Sequence, residues 1–238
     1  MESSRVVPRL HVAVMAVLPL ILNILMTPVI IISAVSLTEF LKSPVYYIYA
    51  YGFVLWSVYH VSLVFLAYRF LRIERGSLKE IVGSVEGRAR LSVAAIVGLL
   101  CLSVLVFQVV EPIVYRAVYG PEAWELFLSE YRRLPLTLAL YGMLVTSLTA
   151  GVCEEIVWRG YLQTRLERGL GGRIWIAITI QAISFGLWHS ISVHTIFTAI
   201  FGFVFGLVYA KTRRLLPIMV SHWLGDVIGF FTMYFIPT

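Results

Sequence analysis

Charge is what this sequence has least of. Only 13% of its 238 residues are Asp, Glu, Lys or Arg, 60% are hydrophobic, and the mean hydropathy is +0.88. Soluble domains carry ~25% charged and ~45–50% apolar residues. A chain of this size has no core large enough to hide the surplus, which excludes a soluble enzyme and a disordered chain. Cysteine is nearly absent. Cys101 and Cys153 both lie in apolar runs, so no disulfide-stapled secreted module is encoded. Aspartate is scarcer still: of 13 acidic residues 12 are Glu, and the single Asp, Asp226, sits inside an apolar segment. No repeat, low-complexity tract or soluble linker divides the chain, so residues 1–238 read as one integral-membrane domain.

What is present is a series of apolar runs, and the fold class they imply is all-α, a polytopic transmembrane helix bundle. Crossing a bilayer core of ~30 Å takes about 20 apolar residues in helix. Seven segments qualify or nearly qualify. The first is Leu10–Leu37, loosened at Pro19 and Pro28. Pro44–Tyr68 and Leu91–Val110 follow, and the fourth runs from Leu134 through Ala150 into an ionisable cluster. Ile174–Val193, Thr195–Ala210 and Leu215–Ile236 complete the set, with the fifth and sixth divided near 193–195. An interfacial helix within 111–134 would raise the count from seven to eight. Arg5 and Arg9 are not followed by a short apolar region with a small-residue cleavage site, so the first span is expected to be retained.

The net charge of +6 is the ordinary mark of orientation in a bilayer and calls for no nucleic-acid partner. With the N-terminus cytoplasmic, 14 of the 19 Lys and Arg fall on inner segments. Only Lys42, Arg116, Arg132 and Arg133 fall outside, and Arg159 stays within the membrane. Gly202/Gly206 and Gly225/Gly229 permit close helix approach, and one arrangement they allow is contact of the sixth and seventh spans with each other.

Ionisable groups inside a span cost about 2.5–3.5 kcal/mol each and need a reason. Three clusters remain. Glu154 and Glu155 are adjacent, and Glu155 and Arg159 share a helix face, so Arg159 can occupy Glu155 and leave Glu154 free. Phe185 and His189 share a face by the same spacing. So do His222 and Asp226, whose carboxylate can accept the imidazole N–H and fix its tautomer. Each alone can be a structural pairing. Together they are the parts of a water-activating site, or a ligand set for a divalent metal such as Zn built from Glu154, His189, His222 and Asp226. Depths of ~16 Å for Glu154 from Arg165 and ~12 Å for His222 from Arg214 suggest the inner half of the bilayer. His189, ~24 Å from Arg173, fits only if the fifth helix starts late or tilts. His11, His60 and His194 read as structural.

In order and spacing these segments resemble the CPBP family of intramembrane proteases, which includes the type II CAAX prenyl protease and Abi-like proteins. Its motifs Glu-Glu-x-x-x-Arg, Phe-x-x-x-His and His-x-x-x-Asn/Asp appear here as Glu154-Glu155…Arg159, Phe185…His189 and His222…Asp226. The resemblance covers about residues 135–236. It implies an intramembrane endopeptidase opening toward the cytosol and acting on a membrane peptide or protein that can carry a lipid. Glu154 and His189 would activate water, and His222 with residue 226 would stabilise the oxyanion. Arg159 would hold Glu155, and either no cofactor or a divalent metal would take part. Asp226 stands where the prenyl proteases have Asn, and orientation of His222 is its expected role. An ion-coupled transporter or a silent scaffold or immunity protein are the alternatives.

Overall fold

The computed structural model describes residues 8–83 and 89–236, and helix is the only regular secondary structure among them. In chain order the elements are α1 (Arg9–Val35), α2 (Leu37–Lys42), α3 (Pro44–Ile73), α4 (Leu78–Val82) and α5 (Ser92–Tyr119). Then come α6 (Pro121–Arg132), α7 (Leu136–Gly169), α8 (Ile174–His189), α9 (Val193–Thr212) and α10 (Leu216–Phe235). Local chemistry sets many of these limits. Pro44, Pro121 and Pro217 occupy first-turn positions where no amide hydrogen is needed. Ser36 and Ser77 accept from the backbone N–H three residues on, and Ser192 and Thr195 form a capping box. Gly171 and Gly172, both at positive φ, turn the chain between α7 and α8.

Six helices, α1, α3, α5, α7, α9 and α10, are long and apolar enough to cross a bilayer. Seven to eight spans were expected, and the difference lies in α8. It is apolar but has only 16 residues, about 24 Å of helix. It breaks at Ser190–Ser192, earlier than expected, and its hairpin with α9 turns inside the bundle, where His194 meets Glu111 of α5. Within 111–134, where an interfacial helix was expected, α6 forms a separate helix, and α5 runs on past Val110 to Tyr119. Widened, π-type turns at Ile21–Met26 and Leu105–Val110 precede Pro28 and Pro112, whose rings deny the helix a donor. Large apolar side chains such as Val61, Phe65, Leu144, Leu148 and Ile183 cover the outside, as a lipid-facing surface requires.

All crossing helices share a frame. At one end lie the start of α1, the ends of α3, α7 and α9, and the starts of α5, α8 and α10, with most of the Lys and Arg; this is the basic end. It is closed. The short helix α4 lies across it, with Ile81 1% exposed and packed over Gly160 and Leu215. Tyr209 Oη donates to the Ile81 carbonyl at 2.6 Å, and Leu215 N–H to Val82 at 3.0 Å. Just past α3, Glu74 gathers Tyr161 Oη, Arg165 Nε at 2.8 Å and His11 Nδ1 at 3.0 Å. Burial would raise this carboxyl, but the donors Tyr161, His11 and Arg165 hold it below the usual range.

The glycine pairs do not join α9 to α10. Gly202 and Gly206 lie against Ala182, Phe185 and Ile178 of α8, with Gln163 of α7 also beside Gly206, whereas Gly225 and Gly229 face Ser103 and Gln108 of α5. A close approach of α7 to α10 falls elsewhere, at Gly151 of α7. A Cβ there would lie 2.7 Å from Trp223 N and 2.9 Å from the Met219 carbonyl, both backbone atoms of α10. Gly151→Leu is therefore expected to destabilise the bundle by about 1–3 kcal/mol. Thermal unfolding in detergent should show a lowered midpoint, and an unchanged one would contradict this packing.

Candidate active site

The stretch of α7 that carries the two glutamates is itself irregular. Ala150–Glu154 and Ile156–Gln163 form π-type turns, a widening found often where helices carry function. Glu154 and Glu155 leave this stretch in different directions, as their adjacency requires.

Glu155 points into the core. One of its oxygens, Oε1, accepts from Arg159 Nη1 at 2.9 Å and from His222 Nδ1 at 2.7 Å, tying α7 to α10. Glu155 and Arg159 are both 0% exposed. The guanidinium lies 4.3 Å from the Phe185 ring centroid, 5.6 Å from Phe205 and 5.9 Å from Phe201, so three rings from α8 and α9 cover it. Arg159 thus pairs with Glu155 and leaves Glu154 free of it, as the spacing implied. Orientation of His222 is a correction. It was expected from Asp226, yet Asp226 Oδ2 stays 3.7 Å from Nε2, beyond hydrogen-bond reach, while Glu155 holds Nδ1. The i,i+4 neighbour loses to a partner on another helix.

Glu154 points the other way and is 4% exposed. Its Oε1 meets His60 Nε2 at 2.8 Å and accepts from Trp188 Nε1 at 3.1 Å. Its Oε2 is buried with no hydrogen-bond partner among the described residues, and His222 Nε2 lies 4.0 Å away. An unsatisfied buried carboxylate oxygen is costly and calls for an explanation. His60 is the residue the sequence reading set aside as structural. Its Nδ1 lies 3.0 Å from Thr149 Oγ1, one helical turn before Glu154, and its Nε2 faces the carboxylate. Asn23, in the widened turn of α1, reaches the same neighbourhood, donating to the Trp188 carbonyl and accepting from Trp56 Nε1 at 2.7 Å. Nothing around His60 or Asn23 in their own helices marks them, because the partners described here lie on α3, α7 and α8.

His189 ends α8. Its Nδ1 is 2.9 Å from the Phe185 carbonyl, which can only accept, so Nδ1 carries the hydrogen and a neutral ring offers its Nε2 lone pair outward. His194 lies beside it, with ring centroids 5.7 Å apart, and bonds Glu111 at 2.7 Å rather than standing alone. Depth no longer separates Glu154 from His189. Arg165 is buried rather than interfacial, so Glu154 is better measured from Gly169, roughly 22 Å along the helix, close to the ~24 Å of His189.

Glu154, His60, His189, His222 and Asp226 line one cavity of about 450 Å³. It runs away from the basic end, past Ser103 and Phe107, to Val45, Glu111, Tyr115, Trp124 and Phe127 at the far end. A cytoplasmic basic end and a site opening to the cytosol were both expected; the described lining of the cavity extends toward the end opposite the basic one. The donors also fail as a ligand set. Among the described residues no group of three or more His, Cys, Asp or Glu is arranged to hold a metal ion, since His60 takes Glu154 and Glu155 takes His222.

Removing Arg159 would leave Glu155 charged, buried and short of a partner, a loss typically of about 3–5 kcal/mol. Arg159→Ala is expected to lower the unfolding midpoint strongly, and a wild-type midpoint would show that the pair carries no stability.

Comparison with known proteins adds to this geometry. No curated protein and no solved structure matches the chain significantly. One family does, over residues 135–228, which span Glu154, Glu155, Arg159, His189, His222 and Asp226 and leave out His60. Over that segment the chain is similar to the type II CAAX prenyl endopeptidase Rce1-like family.

Proposed function

We propose that this protein is an intramembrane endopeptidase that hydrolyses a peptide bond of a membrane-associated substrate with Glu154 as general base. The observation that carries the reading is the unpartnered, buried Oε2 of Glu154, in a residue that lines one cavity with His189 and His222. The family match over residues 135–228 supports a protease of the CAAX type II kind.

In this reading His60 and Trp188 hold Oε1 and aim Oε2 into the cavity. A water there donates one hydrogen to Oε2 and the other to His189 Nε2, which orients it. Its oxygen attacks the scissile carbonyl as Glu154 takes the proton. His222, anchored at Nδ1 by Glu155, turns Nε2 toward the same space and in its doubly protonated form donates to the tetrahedral oxyanion. Glu154 then returns its proton to the leaving amine, the C–N bond breaks, and the new carboxylate remains on the N-terminal fragment. Asp226, 3.7 Å from His222 Nε2, balances the imidazolium charge. No step needs a metal.

Purified protein with a peptide reporter tests this. Glu154→Gln and His189→Ala are each expected to lower cleavage at least ~100-fold with the unfolding midpoint retained, and full cleavage by either folded variant would sink the reading. His60→Ala should lower kcat about 10–100-fold through loss of one charge-assisted bond. KM should be unchanged, and His60→Gln should recover part of the loss; a KM effect alone would remove His60 from the positioning role. Asp226→Asn should retain cleavage, and wild-type protein should resist chelators. Loss of activity in both experiments would restore the metal-ligand role of Asp226.

A further inference from the structure

The last turns of α3 carry charge that the described fold does not balance. Arg69 and Arg72 are the only Asp, Glu, Lys or Arg among its 30 residues, and both are exposed. Other guanidiniums at the basic end are paired, Arg165 with Glu74, Arg168 with Glu80 and Arg213 with Glu167. The side chains of Arg69 and Arg72 have no hydrogen bond or ion pair among the described residues. Glu74, the acid nearest to Arg72 in sequence, turns inward to Arg165, Tyr161 and His11. Three residues apart on one helix, the two cations are neighbours and repel each other. An anion shared between them removes that repulsion.

Depth and surface chemistry say which anion. At 30 residues α3 is about 45 Å long, against a hydrocarbon core of ~30 Å, so its last turns reach the headgroup layer. Leading up to the arginines, Val54, Val58, Val61, Phe65 and Tyr68 follow at steps of four and three, which keeps them on one helix face, and all five are exposed. From Val61 to Arg72 the helix rises ~16 Å, about the hydrocarbon thickness of one leaflet. An acyl chain laid along this stripe brings its phosphate to Arg69 and Arg72. A recess of about 440 Å³ lies there, with Tyr68, Arg69, Arg72 and Ile73 as its described lining. Guanidiniums grip phosphate oxygens through paired hydrogen bonds, and the Tyr68 hydroxyl, one turn before Arg72, can add another. A zwitterionic headgroup would bring its own ammonium to two unbalanced cations, whereas an anionic one brings only negative charge.

We propose that Arg69 and Arg72 form a binding site for an anionic phospholipid, its phosphate on the two guanidiniums and an acyl chain along Phe65 and Val61. None of these residues lines the cavity that holds Glu154, and the proposal does not depend on the protease reading. Detergent-purified protein is titrated with phosphatidylglycerol or phosphatidylcholine and followed by native mass spectrometry. Phosphatidylglycerol is expected to bind at least ~10-fold more tightly, and equal affinity for the two lipids would overturn the proposal. Arg69→Gln/Arg72→Gln should weaken phosphatidylglycerol binding ~10–30-fold. The lipid-free unfolding midpoint should not move, because both side chains are exposed. Arg173→Gln/Lys211→Gln removes two other exposed charges and should leave binding nearly unchanged. An equal loss in that control would mean diffuse attraction rather than a site, and would overturn the proposal. Inorganic phosphate separates the lipid from a free ion. At equal concentration it should not displace phosphatidylglycerol, and displacement would overturn the lipid as occupant.

Discussion

A guanidinium with no exposure inside an apolar bundle must be neutralised by something equally buried, and in this protein that necessity organises the site. Arg159 finds Glu155 one turn away, three phenyl rings close over its remaining faces, and the same carboxylate oxygen that receives Arg159 also receives His222. One ion pair therefore fixes α7 against α8, α9 and α10 at once. Each partner is too expensive to leave uncompensated, so the arrangement tolerates little displacement. The catalytic reading depends on this, because Glu154 is the next residue and its direction follows from where Glu155 is held.

The second constraint is the pairing of Glu154 across the bundle. His60 and Trp188 saturate one oxygen and leave the other without a partner. Local loosening makes this possible. The π-type turns of α7 let consecutive side chains fan out, and the widened turn of α1 lets Asn23 steady the end of α8. Two of the widened stretches flank the group proposed to do chemistry. Elsewhere α4 and its ion pairs close the basic end.

Much of this was legible in the chain. The runs that became α1, α3, α5, α7, α9 and α10 declared themselves by length and apolarity, since a bilayer demands both. Arg159 pairing with Glu155 was legible because four residues is one turn, and a π-type widening does not separate neighbours that close. The same rule misled for His222, where Asp226 is the near neighbour in sequence and Glu155 the nearer one in space. His60 and Asn23 were not legible at all. Their importance comes from helices that meet only on folding, and a lone polar residue in an apolar run looks the same whether or not a carboxylate awaits it.

The sequence by itself determined that the chain lives in a bilayer and that its few internal charges matter. It determined these because water-to-lipid transfer penalises each residue by type, whatever its neighbours. It also determined which end of the bundle is basic. Only the tertiary structure decided which oxygen of Glu154 is free, which carboxylate holds His222, and which helices line the cavity. Those depend on distances between separate helices, and helix–helix registry is set by packing at contacts such as Gly151 against α10, which no periodicity along one chain encodes.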